Sequence, residues 1–241
     1  ALIAAACGGS DSGSDSDTAS STETATTEAE EEVIESGTEA EGDVDTEVEE
    51  VVEKSNYGGD LIVGLEAEAT GLRPWEDACS SPCLTMVVAV HDLLVQIRTD
   101  GTIGPWLATS WEANDTFTEW TFQLEEGVTF HNGSAFTAQT LVDMFELQKV
   151  GASAAGIVTA AGLKEVVAVD DYTVKYILGQ AHSAFPSFLV QTPLGAVFDP
   201  DAANADFDGY SMNPIGTGPF MMDKRDLDNE TIVVRNPNYW M

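Results

Sequence analysis

The sequence predicts a mixed α/β domain, and three observations carry that expectation. Residues 107–112 and 120–124 are short runs of large apolar residues at period two, separated by the polar turn 113–118, so they read as paired strands. Residues 138–149 change to a helical period, with Leu141, Val142 and Phe145 on one face and Thr137 placed as the N-cap. Leu61-Ile62-Val63, bounded by Gly58-Gly59 and Gly64, makes 60–65 a continuous apolar run that reads as a first core strand.

The elements follow in order from there. Residues 66–81 read as a loop. Ser81 is expected to cap a helix that starts at Pro82, where a missing N–H costs nothing. Leu84, Val87, Val88 and His91 fall near one helical face, and 94–98 suits either the end of that helix or a strand. His91 is expected against the core. Between 103 and 141 the aromatics Trp106, Trp111, Trp120, Phe122, Phe130 and Phe136 crowd between the turn signals Glu126-Gly127 and His131-Asn132-Gly133. The three tryptophans here, and the final Tyr239-Trp240, are assigned to packing. Gly216-Thr217-Gly218-Pro219 precedes strand-like residues, which gives a bend into a hairpin of 220–225 and 231–235.

Composition narrows the function. The 241 residues carry 42 Asp plus Glu against 9 Lys plus Arg, a formal charge of −33 that repels phosphate backbones and argues against nucleic acid as a partner. Seventeen of those acids precede Ser55, in a segment with no aromatic residue before Tyr57. Such a segment buries too little apolar surface to offset its ordering entropy, so 7–57 is expected to be a disordered acidic tether. As a flexible coil of about 50 residues it would reach roughly 40 Å. The rest of the chain is acidic as well, which suits cationic solutes or a salty habitat. No stretch of 18 apolar residues follows Cys7. There is no Gly-x-Ser-x-Gly elbow, no His-Glu-x-x-His helix and no phosphate loop, so nothing points to an enzyme or a bound cofactor.

Several words of the sequence resemble, in order, the extracellular solute-binding proteins of ABC importers, the dipeptide, oligopeptide and nickel family 5. They are Pro105-Trp106-Leu107-Ala108-Thr109-Ser110-Trp111-Glu112, Trp120-Thr121-Phe122-Gln123-Leu124, and Gly127-Val128-Thr129-Phe130-His131-Asn132-Gly133-Ser134-Ala135-Phe136-Thr137-Ala138. Asp170-Asp171-Tyr172-Thr173-Val174 follows, then Gly216-Thr217-Gly218-Pro219-Phe220 with Asn236-Pro237-Asn238-Tyr239-Trp240. The resemblance implies a periplasmic-binding-protein-like fold in which 58–241 is most of the first lobe with its smaller subdomain, the second lobe being largely missing. It implies capture of a solute, peptide first and nickel chelates or sugars as alternatives, by hinge closure between two lobes and delivery to an ABC permease. The solute is not altered, and the protein acts as a monomer. A ligand-sensing lipoprotein on the same fold, or a secreted enzyme or adhesive lipoprotein, is the alternative.

In that family the first loop lines the cleft, which makes Trp75, Ser80 and Ser81 the candidate ligand-facing residues, with Arg73 and Glu66 as charged candidates beside them. Trp75 suits a loop anchor over the core equally well. Arg73 stands where the family commonly has an acid, and His91 where it usually has an aromatic residue. Leu2-Ile3-Ala4-Ala5-Ala6-Cys7 is similar to a bacterial lipobox, so 1–6 is read as a residual signal peptide and Cys7 as the lipidated residue that anchors an exported protein to the outer face of the cytoplasmic membrane, or leaves it periplasmic. Cys79 and Cys83 are then left as an even pair in an oxidising compartment, expected as a local disulfide; zinc is the alternative, although His91, His131 and His182 form no ligand spacing with them.

Overall fold

Chain order in the computed structural model, which describes residues 58–190 and 193–241, is α1 (Ser81–Val90), β1 (Val95–Ile97), β2 (Ile103–Pro105), β3 (Ala108–Ala113), β4 (Glu119–Leu124), α2 (Ala138–Gln148) and α3 (Ala155–Ala160). It continues with β5 (Leu163–Asp170), β6 (Thr173–Leu178), a 3-10 turn (Phe185–Leu189), α4 (Pro200–Ala205), α5 (Phe207–Tyr210), β7 (Phe220–Asp226) and β8 (Glu230–Arg235). The two period-two runs pair as an antiparallel hairpin, and β6 then β5 extend it into a four-stranded antiparallel sheet ordered β3-β4-β6-β5. The hairpin turn is tied by Asn114, whose Oδ1 accepts the N–H groups of Thr118 and Glu119 at 2.9 and 3.2 Å.

Alternation decides which face of this sheet is wet. Trp120, Phe122 and Leu124 of β4 and Val174, Tyr176 and Leu178 of β6 are buried, and the register pairs Trp120 with Tyr176 and Phe122 with Val174. α2 covers that face with Leu141, Met144 and Phe145, and the 3-10 turn inserts Phe185 beside Phe122 and Tyr176. Phe122 and Tyr176 meet edge to face at 5.4 Å. Each such ring contributes roughly 2–3 kcal/mol through burial alone. α2 starts where its sequence says it should: the Thr137 N–H donates to Thr140 Oγ1 at 3.1 Å, which uses one backbone donor at the helix start.

Beside this sheet, α1 and the β7–β8 hairpin enclose a smaller apolar cluster of Ala69, Leu72, Cys83, Met86, Val87 and Ala196. Two sequence expectations change here, and an alternative left open is decided. Residues 60–65 do not form a strand; Leu61 and Ile62 are 87% and 94% exposed, because no neighbouring strand among the described residues offers them a ladder, and apolar continuity alone cannot supply one. The N-cap of α1 is Ser80 rather than Ser81, and Pro82 takes the second helical position, where its missing N–H is still outside the helical ladder. The helix ends at Val90, so Leu94 lies beyond it and β1 accounts for Val95–Ile97. Strands β5 and β6 and helices α3, α4 and α5 add to the elements expected from the sequence. The residual signal peptide, Cys7 and the acidic tether lie outside the described residues.

Candidate functional site: the first loop and the Asp92 junction

The loop between residues 66 and 80 is fastened to the rest of the molecule from behind. Arg225 of β7 is buried and donates to the carbonyl oxygens of Ala69 and Ser211, while Glu68 accepts from the Asp228 N–H at 3.2 Å. Leu72 N–H donates to Ser211 Oγ at 3.2 Å. Arg73 is spent on Asp77: its Nε and Nη2 donate to the two carboxylate oxygens at 3.0 and 2.8 Å, and the guanidinium lies 4.4 Å above the Phe207 ring. The hydrogen bond to Asp77 raises the Arg73 pKa beyond its ordinary value.

Trp75 is 1% exposed, stacked on Phe198 at 4.1 Å with Tyr210 edge-on at 5.2 Å. Its indole therefore anchors the loop and offers no surface to a solute in this conformation. Its backbone does further work. The Trp75 carbonyl accepts from Ser153 and Ala154 N–H at 3.2 and 3.0 Å, and Glu76 Oε2 accepts from Ala152 N–H at 3.0 Å. Gly151 lies so close to Trp75 that a Cβ there would collide with the Trp75 carbonyl. The small residues after α2 are thus the second wall of this rim, a pairing sequence reasoning missed; the run Gly151-Ala152-Ser153 was the signal available.

Ser80 and Ser81 are exposed at the start of α1, and Glu66 is exposed ahead of the fastened part of the loop. Cys79 and Cys83 are joined by a disulfide, S–S 2.04 Å, which bridges the start of α1 around Ser80 and Ser81. The structure gathers Arg73, Trp75, Ser80 and Ser81 onto one fastened segment, with two of the four open to solvent.

A second centre lies at the other end of α1. Asp92, 5% exposed, accepts from Trp106 Nε1 at 2.8 Å and Tyr239 hydroxyl at 3.2 Å on one oxygen, and from Thr217 hydroxyl at 2.9 Å and Trp240 Nε1 at 3.0 Å on the other. Four donors from three distant segments satisfy one buried carboxylate. Proximity to Asp92 and burial raise the Tyr239 pKa, burial being the larger cause. Trp106 and Trp240 meet edge to face at 5.7 Å. The 216–219 bend reaches this point by pressing glycine against α1: Gly218 N–H donates to Val90 O at 2.9 Å, and a Cβ on Gly216 or Gly218 would collide with Val90. A pocket of about 200 Å³ opens beside the junction, walled by Val88, His91, Leu93, Gln96 and Pro219. The sequence reading passed over Asp92; an acid inside the apolar stretch His91-Asp92-Leu93-Leu94 was its only mark.

His91 is buried, with Nδ1 3.1 Å from Val87 O, and burial pushes its pKa down to about 3. Neither it nor His131 bonds a serine, a cysteine or a carboxylate; their partners are backbone atoms and the Tyr210 hydroxyl. Among the described residues no three His, Cys, Asp or Glu side chains gather to hold a metal, and no helix is long and apolar enough to cross a membrane. The arrangement can hold a loop rim in place and present hydroxyls from it. It assembles no nucleophile with a base.

Residues 102–241 match the family model for bacterial extracellular solute-binding proteins, family 5, in its middle region. The nickel-binding periplasmic protein of Escherichia coli K12 is 31% identical over 156 residues, covering 63% of this chain and 29% of that protein. The probable D,D-dipeptide-binding periplasmic protein DdpA of the same organism is 31% identical over 189 residues, covering 74% and 36%. Among solved structures, the ABC transporter-associated periplasmic binding protein DppA from Helicobacter pylori in complex with the peptide STSA superposes with a TM-score of 0.63 at 25% identity, covering 73% of this chain and 38% of that one. The nickel ABC transporter from Bacillus halodurans gives 0.61 at 28%, covering 72% and 34%. The chain spans about a third of the length of these relatives, and over that third its mixed α/β architecture is the periplasmic-binding-protein fold. With the family match covering more than half of the chain, this protein belongs to the bacterial extracellular solute-binding proteins, family 5.

Proposed function

We propose that this chain belongs to the receptor component of an ABC importer, one that captures peptides or similar small solutes and hands them to a membrane permease without altering them. The observation that carries the reading is family membership together with a rim loop held rigidly from behind, the fixed surface on which a second lobe can close over a solute. In this reading 58–241 acts as the N-terminal lobe. Glu66, Ser80 and Ser81 face the solute, while Arg73 and Trp75 hold the loop's shape from within. Cys7 carries the lipid that anchors a monomeric receptor at the outer face of the cytoplasmic membrane, after a signal at 1–6 and along the tether 7–57, or the receptor is free in the periplasm.

Peptide is the preferred solute because several of the similar relatives are named for dipeptides or murein peptides. The paired disulfide loop and the saturated Asp92 leave the Ser80 and Ser81 hydroxyls, backbone groups and the Glu66 carboxylate as the solute-facing chemistry, which suits a peptide's amides and its cationic end. Mass spectrometry of solutes released on denaturing the purified protein, followed by calorimetric titration with di- and tripeptides and with a nickel chelate, tests the reading. Released or bound peptide is the expected result. A protein that releases no small molecule and binds no member of either class overturns it.

A further inference from the structure

One bend encloses His131 on three sides. Its backbone N–H donates to Gly216 O at 2.9 Å, its ring Nε2 lies 3.0 Å from Gly218 O, and Gly216 N–H is directed at its Nδ1 at 3.4 Å. A carbonyl oxygen accepts, so Nε2 carries the ring proton; a backbone N–H donates, so Nδ1 presents its lone pair. The bracket specifies the neutral ring, because a proton on Nδ1 would stand against the Gly216 N–H. The same bend carries load elsewhere. Thr217, between the two glycines, donates its hydroxyl to Asp92, which also holds Trp106, Tyr239 and Trp240. Gly218 O accepts a second bond, from Asn236 Nδ2 at 3.1 Å.

We infer that His131 is a proton-operated latch: the neutral ring holds the 216–219 bend in place, and the protonated ring releases the bend, and with it the Tyr239-Trp240 segment, from the Asp92 junction. The titratable groups around it are His91 and Asp92 at the end of α1, Asp199, which binds the neighbouring Asn132 and Ser134, and Tyr239, whose hydroxyl is on Asp92; the bend itself carries none. Burial lowers the His131 pKa from its ordinary value, against the Gly218 bond and Asp92, which raise it, and a charge on His131 would further disfavour one on His91. The sign follows. A base whose pKa is lower in the latched state binds protons better when released, so the latch is fully held above about pH 6.5 and is lost as pH falls below it.

The test follows near-UV circular dichroism and tryptophan fluorescence of the whole chain from about pH 8 to about pH 4, since Trp106 and Trp240 both report on Asp92. The wild type is expected to lose near-UV signal with a midpoint below about 6.5 while its far-UV signal persists. In His131→Gln, whose neutral amide does not titrate, that phase is expected to vanish or to move down by about one pH unit or more. An unchanged midpoint in His131→Gln, or no transition in the wild type, overturns the proposal. Should the variant fail to fold, nitrogen NMR of the wild-type histidine rings decides: an Nε2–H tautomer with a pKa below about 6.5 supports the latch, and an Nδ1–H tautomer or a pKa at or above that value overturns it.

Discussion

The four-stranded sheet and the Asp92 junction hold their residues by different physics. Under the sheet, Phe122, Tyr176, Phe185 and Phe145 are held by area: each ring loses water and gains close contact, and no single direction is required of it. At the junction, Trp106, Tyr239, Trp240 and Thr217 are held by direction, through four hydrogen bonds converging on one carboxylate. A core of the first kind degrades by degrees as volume is removed. A centre of the second kind fails in one step when its acceptor goes, because every donor loses its partner together. The rim loop borrows from both, with Trp75 buried by area and Arg73 locked to Asp77 by geometry.

The sharpest way to break that contrast is to cut each region once. Phe122→Ala is expected to have the largest effect, about 3–5 kcal/mol lost in denaturant unfolding, because the ring is fully buried and its neighbours are too interlocked to close the cavity. Phe122→Leu should recover part of that loss, because area-driven packing is regained with each apolar atom restored. Asp92→Ala is expected to cost about 3 kcal/mol, and here the near-isosteric Asp92→Leu should recover little, since no apolar group can accept from four donors. Equal rescue by leucine at both positions would erase the distinction. The smallest effect is expected from Cys79→Ser, which opens a five-residue ring and should lower stability by about 2 kcal/mol in denaturant unfolding.

Legibility from sequence followed the same division. The β3–β4 hairpin, α2 with its start at Thr137, and the β7–β8 hairpin were readable because period, turn residues and caps are local signals. The 60–65 run misled for a physical reason: a strand is a relation between two segments, and an apolar run states only half of it. At the rim, the residue types were readable and their allegiances were not. Nothing local distinguishes a Trp75 that stacks on Phe198, more than a hundred residues away, from one that greets a solute, and nothing in Arg73 announces Asp77 over Glu66 as its partner.

By itself, then, the sequence determined the mixed α/β class, the order of the readable elements and the family words, because these depend on spacing along one chain. Only the tertiary structure decided that three of those words, around Trp106, Thr217 and Tyr239-Trp240, are separate strokes of one feature that meet on Asp92. The reason is desolvation. A buried carboxylate must find donors wherever the fold brings them, so its partners are chosen by proximity in space and leave no period in the chain.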